Sequence, residues 1–180
     1  VNARSMEFCR RWGIEREVRH GGFPDDYPMT IAFATSLRGK LIRRVPYPAM
    51  GEQGPHPSSP TNRQRIPQNL LDPILRRAAQ RFESVDTRFR HRLERFVQHD
   101  DHVEAQVVDL ASGQTETIRA RYLAGCDGAK STVRESLGIP LAGEQRIAYS
   151  VGIYFRTPRL WRFHDKGKAI MTVLVDRRGM

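Results

Sequence analysis

The chain has 180 residues, 39% of them hydrophobic, and its 30 Lys and Arg against 20 Asp and Glu give a net charge of +10. That composition makes a packed core feasible and disfavours wholesale disorder, and no apolar run approaches the ~18 residues of a membrane helix. With only Cys9 and Cys126, a disulfide-rich scaffold is excluded.

Residues 2–12 read as a helix, with Met6, Phe8, Cys9 and Trp12 apolar and Gly13 as its stop. Gly21-Gly22 and Pro24-Asp25-Asp26 mark a loop. Residues 29–36 and 40–45 are strand candidates joined by a turn at Arg38-Gly39, and the proline-rich stretch 46–60 is a surface loop. After Pro67 a helix returns: Leu70, Leu71, Ile74, Leu75, Ala78, Ala79 and Phe82 form one apolar face, and Pro73 is expected in its first turn. Residues 87–97, 103–109 and 115–119 then predict an antiparallel meander, with turn chemistry at Asp100-Asp101 and Ser112-Gly113. A short strand at 122–124, a helix over 131–137 and strands at 146–156 and 168–176 complete the pass.

The positive charge invites a polyanion partner, nucleic acid or an anionic membrane surface. Against that, 26 of the 30 cations are Arg, scattered in pairs such as Arg10-Arg11 and Arg76-Arg77 with no block of five like charges. Arg88, Arg90 and Arg92 alternate, which on a strand is one solvated face. Solvated surface is the favoured reading, with a basic nucleic-acid-binding domain as the alternative.

The most informative stretch runs Tyr122-Leu123-Ala124-Gly125-Cys126-Asp127-Gly128-Ala129-Lys130-Ser131-Thr132-Val133-Arg134. Physically it is strand, glycine-bearing turn and helix. Gly125 and Gly128 permit a tight backbone and close approach of a ligand, and the helix N-terminus suits a phosphate or ribose-phosphate group. Asp127 could accept from sugar hydroxyls, or simply cap the helix; spacing alone leaves the two even. Cys126 reads as a small packed residue. The six histidines show no H-x-x-x-H or H-E-x-x-H spacing and the two cysteines are 117 positions apart, so no metal site is expected.

This stretch resembles the Asp-Gly nucleotide-binding motif of the flavin-dependent aromatic hydroxylases, the single-component monooxygenases that include para-hydroxybenzoate and phenol hydroxylases. Two further segments match in order. Asn2-Ala3-Arg4-Ser5-Met6-Glu7-Phe8 with Gly13-Ile14 resembles the helix after the first dinucleotide-binding unit, and Ile66-Pro67-Gln68-Asn69-Leu70-Leu71-Asp72-Pro73-Ile74-Leu75 resembles the segment bearing a flavin-contacting Gln. The resemblance is collinear over essentially the whole chain and strongest towards the phenol and chlorophenol hydroxylase branch. It implies an α/β fold in which a Rossmann-like FAD-binding domain (1–28 and 62–143) is interleaved with a mixed-sheet substrate domain (29–61 and 144–180).

The same resemblance implies roles. Gln68 would contact the flavin, Asp127 the FAD ribose, Gly125 and Gly128 would shape the turn, Arg134 would organise it through side-chain hydrogen bonds, and Arg4 could reach the cofactor phosphates. The implied reaction is hydroxylation of a phenolic or aromatic substrate with FAD, NADPH or NADH, and O₂ through a flavin hydroperoxide, with no acid–base residue assigned. An epoxidase, halogenase or polyketide-tailoring oxygenase of the same fold is the alternative. The location implied is cytoplasmic, with no nucleic acid, no membrane span, and a homodimer of the full-length protein left open. No G-x-G-x-x-G is present, nor the family's downstream Gly-Asp-rich segment. The chain therefore reads as an internal fragment that should bind FAD poorly alone.

Overall fold

The computed structural model describes residues 1–144 and 148–175. These divide into two compact units, one formed by residues 1–85 with 154–175, the other by the described residues of 86–153. Among the described residues, no helix is long and apolar enough to cross a membrane.

In the first unit, helix α1 (Ala3–Arg11) is capped by the Asn2 side chain, which accepts from Ser5 N at 2.8 Å. It ends at Gly13, whose φ of +72° is left-handed and suits glycine. Helix α2 (Glu15–His20) follows at once, a six-residue element for which the sequence reading had no assignment. Its acidic start and basic end match the helix dipole. Helix α3 (Gln68–Ala79) packs Ile74 and Ala78 against Met6, Cys9, Ile14 and Val18, and these six form the hydrophobic core of the unit. Burial pushes the Cys9 thiol up, away from the reactive thiolate.

The apolar face of α3 is incompletely covered: Leu70 remains exposed, as does Phe82 just beyond the helix end. Pro73 also lies deeper than the sequence suggested. Because the helix begins at Gln68 under an N-cap at Pro67, Pro73 falls in the second turn, where its missing N–H leaves the Asn69 carbonyl without its helical donor.

Strand β1 (Ile31–Ala34) pairs antiparallel with β2 (Leu41–Val45), Ile31 opposite Val45. It pairs parallel with β6 (Met171–Leu174), Ile31 opposite Met171, giving a mixed sheet of order β2-β1-β6. Ala32 and Ala34 face inward and are fully buried. Arg44 on β2 donates to the backbone carbonyls of Lys166 and Lys168, on either side of Gly167, and so ties the approach to β6 to its neighbour two strands away.

The second unit is the expected meander: β3 (His91–Gln98), β4 (Val103–Asp109) and β5 (Thr115–Ala120), antiparallel in that order. Strand β3 starts four residues later than predicted because Arg90 adopts a φ of +63°. Arg88 therefore lies before the strand, paired with Asp86 and Glu116, while Arg92 pairs with Glu94 at 2.5 Å. These cations are partnered surface. Beyond β5 comes the short helix α4 (Thr132–Ser136), stopped at Gly138 with φ +66°.

Two predicted strands are not present. Residues 122–124 form no strand and pair with none among the described residues, and Tyr122 is exposed. Of the strand expected over 146–156, Arg146 and Ile147 lie outside the described residues, and 148–156 form no strand, with Tyr149, Val151, Ile153 and Tyr154 all exposed. Alternating apolar residues become a strand only where another strand offers its edge, and none does so here among the described residues. The α/β class itself holds.

Candidate functional site

The turn that precedes α4 holds two glycines whose backbone geometry matters. Gly128 has φ +78°, and a Cβ placed there would meet nothing within 4 Å. Gly125 is tight for another reason: a Cβ would stand 2.7 Å from Val133 Cβ, so its bare backbone lets the incoming chain lie against the helix. Ser131 is the N-cap and accepts from Arg134 N at 3.0 Å. Asp127 adds a second cap, its Oδ2 accepting from Val133 N at 3.3 Å.

These contacts fix the charge of Asp127. The hydrogen bond from the Ser131 hydroxyl, aided by the backbone N–H groups of Val133 and Thr132, holds its carboxyl below the usual carboxylate range. An ionised carboxylate sits at the positive end of α4, which at five residues has little dipole to share. That end suits a hydroxyl donor better than a second anion. Asp127 both caps the helix and leaves acceptor capacity exposed, so the two roles weighed from sequence are compatible.

Arg134 reaches back from α4 across the turn. Its Nη1 donates to the Ala129 carbonyl at 2.7 Å and its Nη2 to Glu135 Oε1 at 2.9 Å. Its Nε is buried with no hydrogen-bond partner, the one such side-chain atom among the described residues. The guanidinium thus holds the loop at Ala129 while one of its own donors stays unsatisfied. Cys126, expected to pack, is exposed.

In the first unit, Arg4 lies on the surface of α1, its Nη1 2.5 Å from Glu7 Oε2 and its guanidinium 4.8 Å over the Phe8 ring. It borders an open cleft of about 660 Å³ with Asn2, Pro48, Gly54, His56 and Asn62. Gln68 is the first residue of α3, exposed, with Pro67 holding the cap position that Gln68 could have taken. Asp127, Gly125, Gly128 and Arg134 therefore form one local constellation in the second unit, while Arg4 and Gln68 stand on separate helices of the first.

A family model described as "FAD binding domain" matches residues 1–179. The chain belongs to the FAD binding domain family. Among curated proteins, this FAD binding domain is 34% identical over 170 residues to tetracenomycin B2 monooxygenase-dioxygenase of Streptomyces olivaceus, covering 87% of the chain and 31% of that protein. It is 33% identical over 163 residues to 2,4-dichlorophenol 6-monooxygenase of Delftia acidovorans, covering 86% and 27%. Among solved structures, the rebeccamycin biosynthetic enzyme RebC with reduced flavin superposes with a TM-score of 0.77 at 32% identity, covering 98% of this chain and 33% of that one. The chain thus spans about a third or less of the relatives it matches.

Two participants in the turn escaped the sequence reading. Ser131 had a legible signal, a Ser directly before a helical run. The Ala129 carbonyl had none, because a backbone acceptor carries no residue signature.

Proposed function

We propose that the chain is part of an FAD-dependent monooxygenase that hydroxylates a phenolic aromatic ring using NAD(P)H and O₂. The observation that carries this reading is the ionised, exposed Asp127 carboxylate beside Gly128, in a chain whose family match runs over residues 1–179. A carboxylate only accepts hydrogen bonds, so it complements the hydroxyls of a ribose, and the open space beside Gly128 leaves room for one. The residues fit the ribose of FAD.

Asp127 and Gly128 would hold that ribose, and Gly125 and Arg134 keep the turn in shape. Gln68, exposed at the head of α3, is assigned to the flavin, and Arg4 to a cofactor phosphate, for which its guanidinium must leave Glu7. Residues 1–28 and 62–143 are assigned to the cofactor domain, and 29–61 and 144–180 to the substrate domain. Bound FAD supplies the redox chemistry, passing electrons from NAD(P)H to O₂ and one oxygen atom to the ring. The chain's own part is to bind and orient. A cytoplasmic location goes with the supply of NAD(P)H, and a homodimer is the assembly to test by light scattering.

The tetracenomycin relative, at 34% identity, favours a second reading in which the aromatic substrate is a polycyclic polyketide. One experiment separates them. The full-length protein is purified, its flavin absorbance recorded, and NADPH and NADH oxidation followed with phenol, 2,4-dichlorophenol or a naphthacenequinone. Stimulation by the simple phenols with hydroxylated product supports the first reading. Stimulation by the polycycle alone moves the assignment to the second. A colourless protein that retains nucleic acid overturns both.

A further inference from the structure

The two residues that close the β3–β4 turn are both histidines. His99 donates its backbone N–H to the His102 carbonyl at 2.8 Å, so the two side chains leave the same face of the hairpin. The two-residue period of a strand puts Glu104 on that face as well, and cross-strand pairing adds Arg119 of β5. The imidazole rings lie nearly parallel, centroids 4.4 Å apart and inclined by 10°. Glu104 reaches both of them: its Oε1 is 3.4 Å from His102 Nε2 and its Oε2 3.8 Å from His99 Nε2. One ligand atom from each of the three residues falls within 4.8 Å of the other two.

From this arrangement we propose that the β3–β4 hairpin binds one divalent transition-metal ion of the zinc class through His99, His102 and Glu104. A tetrahedral ion with bonds of about 2.0–2.1 Å to nitrogen and oxygen holds its ligand atoms about 3.3 Å apart. His102 Nε2 is already at about that distance from Oε1 of Glu104, and His99 Nε2 is about half an ångström too far from Oε2, so a small turn of the exposed His99 and Glu104 side chains would present one carboxylate oxygen to both imidazoles. Asp101 supplies the outer support such sites use: its Oδ1 lies 2.6 Å from His102 Nδ1. With an ion bound, that contact would keep the imidazole proton on Nδ1 and leave the Nε2 lone pair for the metal. Arg119 Nη2 also approaches Nδ1, at 3.2 Å, but a protonated Nδ1 cannot accept from it. The role of Arg119 is then electrostatic: its Nη2 lies 3.7 Å from Asp101 Oδ2, and its positive charge opposes the ion. Two imidazoles with one carboxylate suit Zn²⁺, Co²⁺ or Ni²⁺ rather than the all-oxygen cations Ca²⁺ and Mg²⁺. Three protein ligands would leave the fourth position to a water, and the ion would clip the hairpin tip.

The sequence search looked for histidines at helical spacing and passed over His99-x-x-His102-x-Glu104, because only a hairpin folds that spacing onto one face. The proposal is independent of the flavin reading and rests on the β3–β4 turn with its flanking strands and Arg119 of β5.

The test is calorimetric titration of ZnCl₂ into the purified full-length protein after stripping with a chelator, with Co²⁺ absorption as a spectroscopic probe. The expected result is saturable binding of about one equivalent, far tighter than millimolar, with tetrahedral Co²⁺ bands. His102→Ala and Glu104→Gln should each weaken it at least tenfold. Asp101→Asn, which removes no ligand, should weaken it by about 10–100-fold, and Arg119→Gln should strengthen it. His99, Asp101, Glu104 and Arg119 are at the surface while the His102 side chain is only 15% exposed, and circular dichroism checks that each variant folds. Binding no tighter than millimolar overturns the proposal and leaves the cluster as imidazolium–carboxylate pairs. So does unchanged affinity in the His99→Ala, His102→Ala double variant.

Discussion

Asp127 is the residue on which the cofactor reading can be broken most cleanly. Asp127→Ala should cut flavin retention at least tenfold, read from the absorbance of the purified full-length protein. The pH dependence follows from the sign of its shift. A carboxyl held below its unfolded value of 3.8 contributes fully above that value and loses its contribution as pH falls through the folded one. Flavin release, followed by fluorescence, should therefore show no Asp127-dependent step between neutral pH and 3.8, and the gap between wild type and Asp127→Asn should close only below it. Gly125 makes a different prediction. Gly125→Ala sets a methyl 2.7 Å from Val133 Cβ, costing about 1–3 kcal/mol of stability by overpacking. Adding Val133→Ala should return part of that loss in a double-mutant cycle of thermal midpoints. The structural parts of both glycines and of Asp127 in the turn were legible because they follow from residue type: a missing Cβ, and a short carboxylate placed before a helix start. Cys126 was misread because exposure depends on what packs nearby, and spacing carries no record of that.

At the level of elements, α1, α3 and the three meander strands could be read because each has a sustained apolar period or a flanking turn signal. Helix α2 could not: its six residues hold a single buried side chain, Val18, too few to define a period. Its position is secured laterally instead. Glu15 accepts from the Thr61 hydroxyl and from Arg19 Nη2 at 2.9 Å, and Arg19 donates to Thr61 Oγ1 at 2.7 Å. Burial raises the Glu15 carboxyl, but those two donors outweigh it and the net shift is downward. Glu15→Gln should thus destabilise the protein at neutral pH, and the difference in denaturant midpoint should vanish as pH falls through the lowered folded value, below 4.5. In α3, Pro73 is a local misfit. A proline in a helix interior costs ~3 kcal/mol, of which up to ~1 returns through the stiffer unfolded chain. Pro73→Ala should then stabilise by about 2 kcal/mol, visible as a raised thermal midpoint. The strands expected at 122–124 and 148–156 show the other limit, since their pattern is strand-like but their described surroundings offer no edge.

Across the molecule, several of the arginines behind the +10 charge have local jobs: Arg77 and Arg81 on Glu17, Arg88 on Asp86 and Glu116, Arg44 on two carbonyls. Exposed pairs of this kind add little stability each; they quiet the surface. The apolar side chains at Tyr149, Val151, Ile153, Tyr154 and Phe155 do the opposite, because they stand open to solvent. The 180 residues expressed alone should bind an apolar fluorescent dye strongly, and Val151→Lys with Ile153→Lys should reduce that signal. The mixed sheet has a consequence in time. Ile31 meets Val45 across a short turn but meets Met171 only 140 positions later. A hairpin closes in about 1–10 μs, whereas a ribosome adding about 5–20 residues per second delays delivery of the third strand by on the order of ten seconds. Through that interval the inner edge of β1 is a bare row of donors and acceptors, and the nascent chain is at its most vulnerable to pairing with a stranger.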